Sequence, residues 1–181
     1  PPPPGGVIIE SSFDGGSDGF TFVDDTFRKT NQPNFSNGSH QPNQGFKGGG
    51  LQVRLGGVHI ANILNMSGGW RRTFTLTSSR QLTISFRYRL TQASNYERDE
   101  FSEALVAVDR KLLGNGGSEI LAKVTGDGNG GPCRTTGWKT ATVKTETLSP
   151  GSHTMTIGAF NNKKTFRDEV TWFRIDDVIV R

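Results

Sequence analysis

The chain has 181 residues, a formal net charge of +4 at pH 7 and a single cysteine, Cys133. This length suits one domain with its own hydrophobic core, and a lone cysteine excludes a fold held by internal disulfides. No run of about 20 apolar residues predicts a membrane-spanning helix. The 24 glycines and 12 phenylalanines favour short strands joined by turns. We therefore expect an all-β protein with a mildly positive surface and no membrane segment.

The chain begins with four prolines and two glycines. Such a composition is typical of a stiff spacer next to a flexible joint. We predict that residues 1–6 are a linker and that residues 7–181 form one β-sandwich domain.

Alternation of apolar and polar residues with a period of two recurs along the chain and predicts strands. The clearest case is residues 81–90, in which Leu82, Ile84 and Phe86 alternate with polar residues. Similar segments cover residues 7–11, 20–23, 51–55, 70–76, 104–108, 120–124, 138–143, 153–160 and 172–180. Nine or ten strands on one chain predict a two-sheet antiparallel β-sandwich.

Two segments interrupt this pattern. Residues 31–50 are rich in Asn, Gln, Gly, Ser and Pro, so we predict a long surface loop anchored by Phe35 and Phe46. Residues 97–105 contain helix-forming residues but suit a charged loop that leads into a strand equally well. We predict the loop followed by the strand.

Several arginines occupy polar positions of the predicted strands. They are Arg54, Arg71, Arg87 and Arg89. If their strands are neighbours, these side chains line one basic face, and guanidinium groups bind carboxylates and sulfates with paired hydrogen bonds. The alternative is a solvated sheet face without a ligand.

Aromatic rings could provide flat surfaces for a sugar ring. Trp70 follows a Gly-Gly pair and Tyr96 lies in a polar segment, so we take both as candidate binding residues. Trp138 and Trp172 each open a predicted strand, where burial is the commoner outcome.

The segment that follows the predicted strand at residues 153–160 is polar and basic. Asn161, Asn162, Lys163 and Lys164 combine amides with cations, which suits contacts to hydroxyl and acid groups. We predict a binding loop here, and a charged hairpin tip without a ligand is the alternative.

Acidic residues lie near both ends of the chain, with Asp176 and Asp177 inside the last predicted strand. If the first and last strands are neighbours, these carboxylates meet acids near the first strands, and Ca²⁺ would neutralise them. The alternative places Asp176 in solvent and lets Asp177 accept hydrogen bonds. Whether Asp127 and Asn129 contact a ligand stays open.

Three short motifs carry a family resemblance. The runs Phe13-Asp14-Gly15-Gly16, Gly48-Gly49-Gly50-Leu51 and Phe173-Arg174-Ile175-Asp176-Asp177-Val178 resemble jelly-roll carbohydrate-binding modules of secreted bacterial polysaccharide-degrading enzymes. MAM-type extracellular domains are more distantly similar, but this chain lacks their cysteines. The resemblance implies a jelly roll, a secreted protein with an attached catalytic domain, and a structural Ca²⁺ bound by Glu10, Asp25 and Asp177.

These observations predict a non-catalytic module that binds a polysaccharide, and the basic positions favour an acidic or sulfated one. A cell-surface adhesive or structural domain is the first alternative. A jelly-roll polysaccharide lyase is a weaker one, because it needs a Tyr or His base, and Phe160 stands where a similar lyase strand has its Tyr. Nucleic-acid binding is not expected, because no recognition helix or RNA-binding signature is present.

Overall fold

The computed structural model describes residues 6–114, 116–128 and 130–181, and these residues form two antiparallel β-sheets packed face to face. Most of the predicted linker, residues 1–5, lies outside the described residues, as does Asn129. Within the described residues there is no helix, and hence none that could span a membrane. The strands are β1 (Ile9–Ser11), β2 (Thr21–Asp24), β3 (Ser36–Gln41), β4 (Gly50–Gly56), β5 (Ile63–Leu76), β6 (Arg80–Gln92), β7 (Phe101–Val108), β8 (Lys111–Leu112), β9 (Ala122–Thr125), β10 (Arg134–Thr135), β11 (Lys139–Leu148), β12 (Gly151–Lys164) and β13 (Val170–Val180).

The last strand lies near the middle of the first sheet. This sheet has the order β10-β6-β13-β4-β3, with β1 also paired to β13 and β11 also paired to β6. The second sheet has the order β2-β5-β12-β7-β8, with β9 also paired to β7. The first and last strands are therefore neighbours. The calcium hypothesis assumed this arrangement.

Alternating side chains fill the space between the sheets. In β6, Leu82, Ile84 and Phe86 are buried, whereas the residues between them are half-buried on the opposite face. Phe173 of β13 and Ile157 of β12 pack in the same core cluster. Burial of one such side chain contributes about 1.5–3 kcal/mol. The all-β, two-sheet sandwich predicted from periodicity is confirmed.

The prediction of one long loop over residues 31–50 is wrong, because this segment contains β3. The strand pairs with β4 from Ser36 opposite Leu55 to Gln41 opposite Gly50. A Cβ atom at Gly38 would lie 2.3 Å from the Phe22 ring, so glycine lets the two sheets approach closely there. A polar strand at a sheet edge has no apolar alternation for the sequence to show. The predicted loop followed by a strand over residues 97–105 is confirmed, and the strand β7 begins at Phe101.

The predicted binding loop after residue 160 is also wrong, because β12 continues through it. Lys163 pairs with Leu64 and Lys164 with Ile63 of β5. The polar residues at this end of β12 therefore belong to the sheet and do not form a loop tip.

A register shift in β13 reverses the expected placement of its two aspartates. The pairing with β6 shifts between Asp176 and Ile179, and Asp177 has a positive φ of 50°. Asp176 is consequently buried, and its carboxylate accepts the Lys47 N–H at 3.0 Å, whereas Asp177 is exposed. Simple alternation predicted that Asp176 is exposed and Asp177 faces inward. The prediction fails because a β-bulge inserts one extra residue into the strand and shifts the alternation.

Candidate functional site

Outward side chains of three neighbouring strands form ordered rows on the first sheet. Arg54 of β4, Trp172 of β13 and Thr91 of β6 are paired across the sheet. The next row consists of Gln52, Arg174 and Arg89. The residues of this surface, here called the arginine–tryptophan face, are Phe46, Arg54, Arg87, Arg89, Trp138, Trp172 and Arg174.

Aromatic rings and guanidinium groups of this face pack against one another. The Arg87 guanidinium carbon lies 4.3 Å from the centroid of the Phe46 ring, and the Arg89 carbon lies 5.5 Å from that of Trp138. Phe46 and Trp138 meet edge to face at 5.9 Å. Such cation–π contacts hold a guanidinium in place while its hydrogen-bond donors remain available.

The two tryptophans expected to be buried are instead half-buried at the surface. Trp172 points outward because its neighbour Phe173 occupies the inward position of β13. A depression of about 240 Å³ lies between Arg89, Thr91, Trp172 and Arg174. This depression combines an indole ring with two cations.

The positive charge of the face has no neutralising carboxylate in ion-pair contact among residues 6–114, 116–128 and 130–181. Across the described residues, Arg54, Arg87, Arg89 and Arg174 form no ion pair with a carboxylate. Arg174 donates from Nε to Gln52 Oε1 at 3.2 Å. Burial lowers the pKa of Arg174, and repulsion from Arg89 acts in the same direction. An anion bound between these two arginines would remove that repulsion.

The prediction that Arg71 belongs to the basic face is wrong. It lies in β5 of the second sheet, whereas Arg54 and Arg89 lie in the first sheet. Its Nη2 donates to Thr26 Oγ1 at 3.1 Å. The sequence could not show which strands share a sheet, so it grouped arginines from both.

The predictions that Trp70 and Tyr96 bind a ligand are also wrong, because both rings are buried and cannot stack on a sugar. Trp70 is 6% exposed in the core, and its indole N–H donates to the Gln52 carbonyl at 3.1 Å. Tyr96 is fully buried, its hydroxyl accepts a hydrogen bond from Thr171, and burial raises its pKa. The polar composition around Tyr96 concealed its burial.

The four polar residues at the end of β12 form hydrogen bonds to other segments of the chain. Asn161 donates to Ser102 Oγ at 3.0 Å, and Asn162 accepts the Phe101 N–H at 2.6 Å. The predicted binding role of these four residues is wrong, because each side chain donates or accepts a hydrogen bond within the fold and the one unpartnered atom, Asn161 Oδ1, is buried. The two lysine contacts are Lys163 Nζ to Asp99 Oδ2 at 2.9 Å and Lys164 Nζ to the His59 carbonyl.

A large cavity of about 1030 Å³ lies on the outer face of the second sheet. It is lined by cationic residues, among them Arg71 and Arg110, and by Asp25 and Asp109. Its only aromatic residue, Phe27, is 3% exposed. The cavity therefore offers charge and volume but no exposed ring, and we consider the arginine–tryptophan face the better candidate site.

The predicted calcium ligands do not come together. Glu10 and Asp177 border one depression on the first sheet, whereas Asp25 lines the cavity on the second sheet. The Asp25 carboxylate accepts the Gln32 N–H at 2.9 Å. Asp25 follows β2, which belongs to the other sheet, so pairing of β1 with β13 does not bring it near.

A different set of carboxylates converges at the other end of the strands. Among the described residues, one oxygen each of Glu97, Glu100 and Glu169 lie within 4.8 Å of one another. Sequence patterns do not reveal this cluster, because Glu97 and Glu100 lie far from Glu169 in the chain. No short motif connects them.

No protein-family model matches the chain, and no curated protein matches it significantly in sequence. Solved structures do match. The N-terminal CBM22 tandem domain of Xyn10C from Paenibacillus barcinonensis has a TM-score of 0.50 at 13% identity, over 98% of this chain and 45% of that chain. A CBM61 module in complex with β-1,4-galactotriose has a TM-score of 0.46 at 12% identity, over 94% of both chains. A cleaved adhesin domain of Lys-gingipain from Porphyromonas gingivalis has a TM-score of 0.46 at 16% identity, over 97% of this chain and 98% of that chain. The chain thus has a β-sandwich fold similar to that of carbohydrate-binding modules.

Proposed function

We propose that the chain is a non-catalytic carbohydrate-binding module that holds an acidic or sulfated polysaccharide on the arginine–tryptophan face. The observation that carries this proposal is the combination of half-buried Trp138 and Trp172 with four arginines that form no ion pair in the part of the chain that the structure describes. Indole rings suit the apolar faces of sugar rings, and guanidinium groups suit carboxylates and sulfates. A neutral ligand would have no anionic group to form charge-assisted hydrogen bonds with these arginines.

The positions of the titratable residues favour binding over catalysis. Both tyrosines, Tyr88 and Tyr96, are buried, and His153 is 7% exposed. None of these groups belongs to the arginine–tryptophan face, where a lyase would need its base. The acids around residue 100 offer no open pair for a glycosidase, since Glu100 is fully buried and Glu103 is paired with Arg28 at 2.6 Å.

We also propose that the chain acts in a secreted bacterial protein, beside a catalytic domain. The fold comparison with the CBM22 tandem domain, which is the N-terminal part of Xyn10C, supports this arrangement. A positively charged module would then keep the attached enzyme close to an anionic substrate.

The test is affinity electrophoresis in gels that contain polygalacturonate, alginate, a sulfated galactan or neutral xylan. We expect retardation in the anionic gels, and we expect Trp172→Ala and Arg89→Ala each to weaken binding by roughly tenfold. Arg71→Ala is the matched control on the second sheet and should change the affinity by less than about twofold. Loss of binding in Arg71→Ala alone would move the site to the large cavity.

The same experiment separates the alternatives. Release of unsaturated products from any of these polysaccharides would indicate a lyase. Absence of retardation in every gel would contradict the module and favour the adhesive or structural domain.

A further inference from the structure

Two tight turns present glutamates toward each other. In the first, the Glu97 N–H donates to Glu100 Oε2 at 2.8 Å, and the Glu100 N–H donates to the Glu97 carbonyl at 3.1 Å. In the second, the Phe166 N–H donates to Glu169 Oε2 at 2.8 Å, and the Glu169 N–H donates to the Phe166 carbonyl at 3.3 Å. Each turn therefore fixes the side chain of its own last residue before any ligand binds.

The cluster formed by Glu97, Glu100 and Glu169 contains more acceptors than donors. One oxygen of each carboxylate lies within 4.8 Å of the others. The Thr165 hydroxyl lies 3.1 Å from Glu97 Oε2 and 3.3 Å from Glu169 Oε1, but it has one proton to donate. Three like charges at this separation repel one another strongly when they are removed from water.

Glu100 provides a second, independent observation that points to a ligand at this cluster. Its side chain is fully buried, and its Oε1 has no hydrogen-bond partner. Leaving a buried carboxylate oxygen without a donor is costly. Burial raises the pKa of Glu100 to about 7, and repulsion from Glu169 and Glu97 acts in the same direction.

The nearby lysines do not complete the site. Lys163 Nζ is 3.9 Å from Glu100 Oε1, beyond hydrogen-bond distance, and it donates to Asp99 at 2.9 Å. Lys164 Nζ donates to the carbonyl of His59. The unmatched oxygen therefore needs another partner.

We propose that Glu97, Glu100 and Glu169 bind a divalent cation, Ca²⁺, with the unmatched Glu100 Oε1 as one ligand. Calcium takes six to eight oxygen ligands in irregular geometry, whereas magnesium demands a near-ideal octahedron. Glu97 is half-buried, so the cluster reaches solvent at this residue. Water molecules can complete the coordination there.

The bound ion would join two connections between the sheets. Residues 97–100 connect β6 of the first sheet to β7 of the second, and residues 165–169 connect β12 of the second to β13 of the first. Calcium would therefore stabilise the native state and add nothing to the arginine–tryptophan face. This inference is independent of the proposed glycan binding.

The test measures thermal unfolding of the purified chain in calcium, in magnesium and in chelator. With calcium 100-fold above its dissociation constant, we expect the melting temperature to rise by roughly 5–10 °C, and magnesium should have a smaller effect. Glu100→Gln should abolish the rise. Glu97→Gln, at a half-buried position where folding is less at risk, should reduce it.

The matched control is Asp177→Asn, in the acidic pair at the other end of the sandwich, which should retain the full rise. Terbium luminescence gives a second readout, and we expect binding in the unmodified chain and in Asp177→Asn but not in Glu100→Gln. No calcium effect on the unmodified chain, or a rise lost in Asp177→Asn and kept in both glutamate variants, would overturn the proposal.

Discussion

His153 lies between two hydrogen-bond acceptors. His153 Nδ1 lies 2.7 Å from Asp109 Oδ2, and its Nε2 lies 2.8 Å from the Ser149 carbonyl. Both partners are acceptors, so both ring nitrogens serve as donors only when the imidazole is protonated. The hydrogen bond to Asp109 raises the pKa of His153, and the one to Ser149 adds to this effect.

This arrangement predicts a pH dependence of stability. A folded-state pKa above the unfolded value of about 6.5 stabilises the protein fully below that value, and the contribution is lost as the pH rises through the folded pKa. Between pH 5.5 and 8.5 the unfolding free energy of the unmodified chain should therefore fall more than that of His153→Gln. Urea denaturation at several pH values measures this difference.

His59, which is exposed, provides the control. His59→Gln should keep the pH dependence of the unmodified chain. Parallel pH profiles for His153→Gln and the unmodified chain would show that His153 does not carry the effect.

At the level of a single element, β13 carries a core residue next to two residues of the proposed glycan site. Phe173 points into the core and is fully buried, whereas Trp172 and Arg174 point to the arginine–tryptophan face. Adjacent residues of a strand serve opposite faces, because side chains alternate with a period of two.

Substitutions at neighbouring positions of β13 should therefore have opposite effects. Phe173→Ala should lower the unfolding free energy by about 3–5 kcal/mol, because it leaves a cavity in the core, while the folded fraction keeps its glycan affinity. Trp172→Ala should cost less than half as much stability and weaken glycan binding. Urea denaturation and gel retardation on the same samples measure both. Equal loss of stability in the two variants would contradict this division.

Periodicity predicted the strands that have one apolar face. It failed for the polar strand β3 and at the bulge in β13. It identified β6, β7 and β12 correctly, because core packing and alternation agree there. It missed β3, whose residues are mostly polar or glycine, and it misplaced Asp176 and Asp177 across the bulge. The bulge in β13 depends on its pairing with β6 and on the contact between Lys47 and Asp176. Neither contact is readable from the sequence of β13 alone.

At the scale of the whole molecule, charge is distributed unevenly although the net charge is only +4. Arg54, Arg87, Arg89 and Arg174 of the arginine–tryptophan face form no ion pairs within the described residues, whereas Arg28 and Lys163 are paired with carboxylates. The field over the arginine–tryptophan face is therefore stronger than the net charge indicates.

This uneven distribution predicts salt-sensitive binding. Raising the ionic strength from about 0.05 to 0.5 M shortens the screening length severalfold and should weaken binding of an anionic polysaccharide by roughly tenfold or more. Binding of a neutral glycan, if any is retained, should change little. Gel retardation across a salt series measures both, and an anionic affinity that is independent of salt would argue against a cationic site.

The class of fold was readable from the sequence, since many alternating strands without helical segments bury their apolar faces by packing one sheet on another. The sequence also identified Arg54, Arg87 and Arg89 as outward residues, because alternation is a local property. The placement of Arg71 on the other sheet, the burial of Trp70 and Tyr96, and the partial exposure of Trp172 follow from tertiary packing and are not readable from local patterns. The glutamate cluster also comes from folding alone, because strand order and register bring together residues that no local pattern connects.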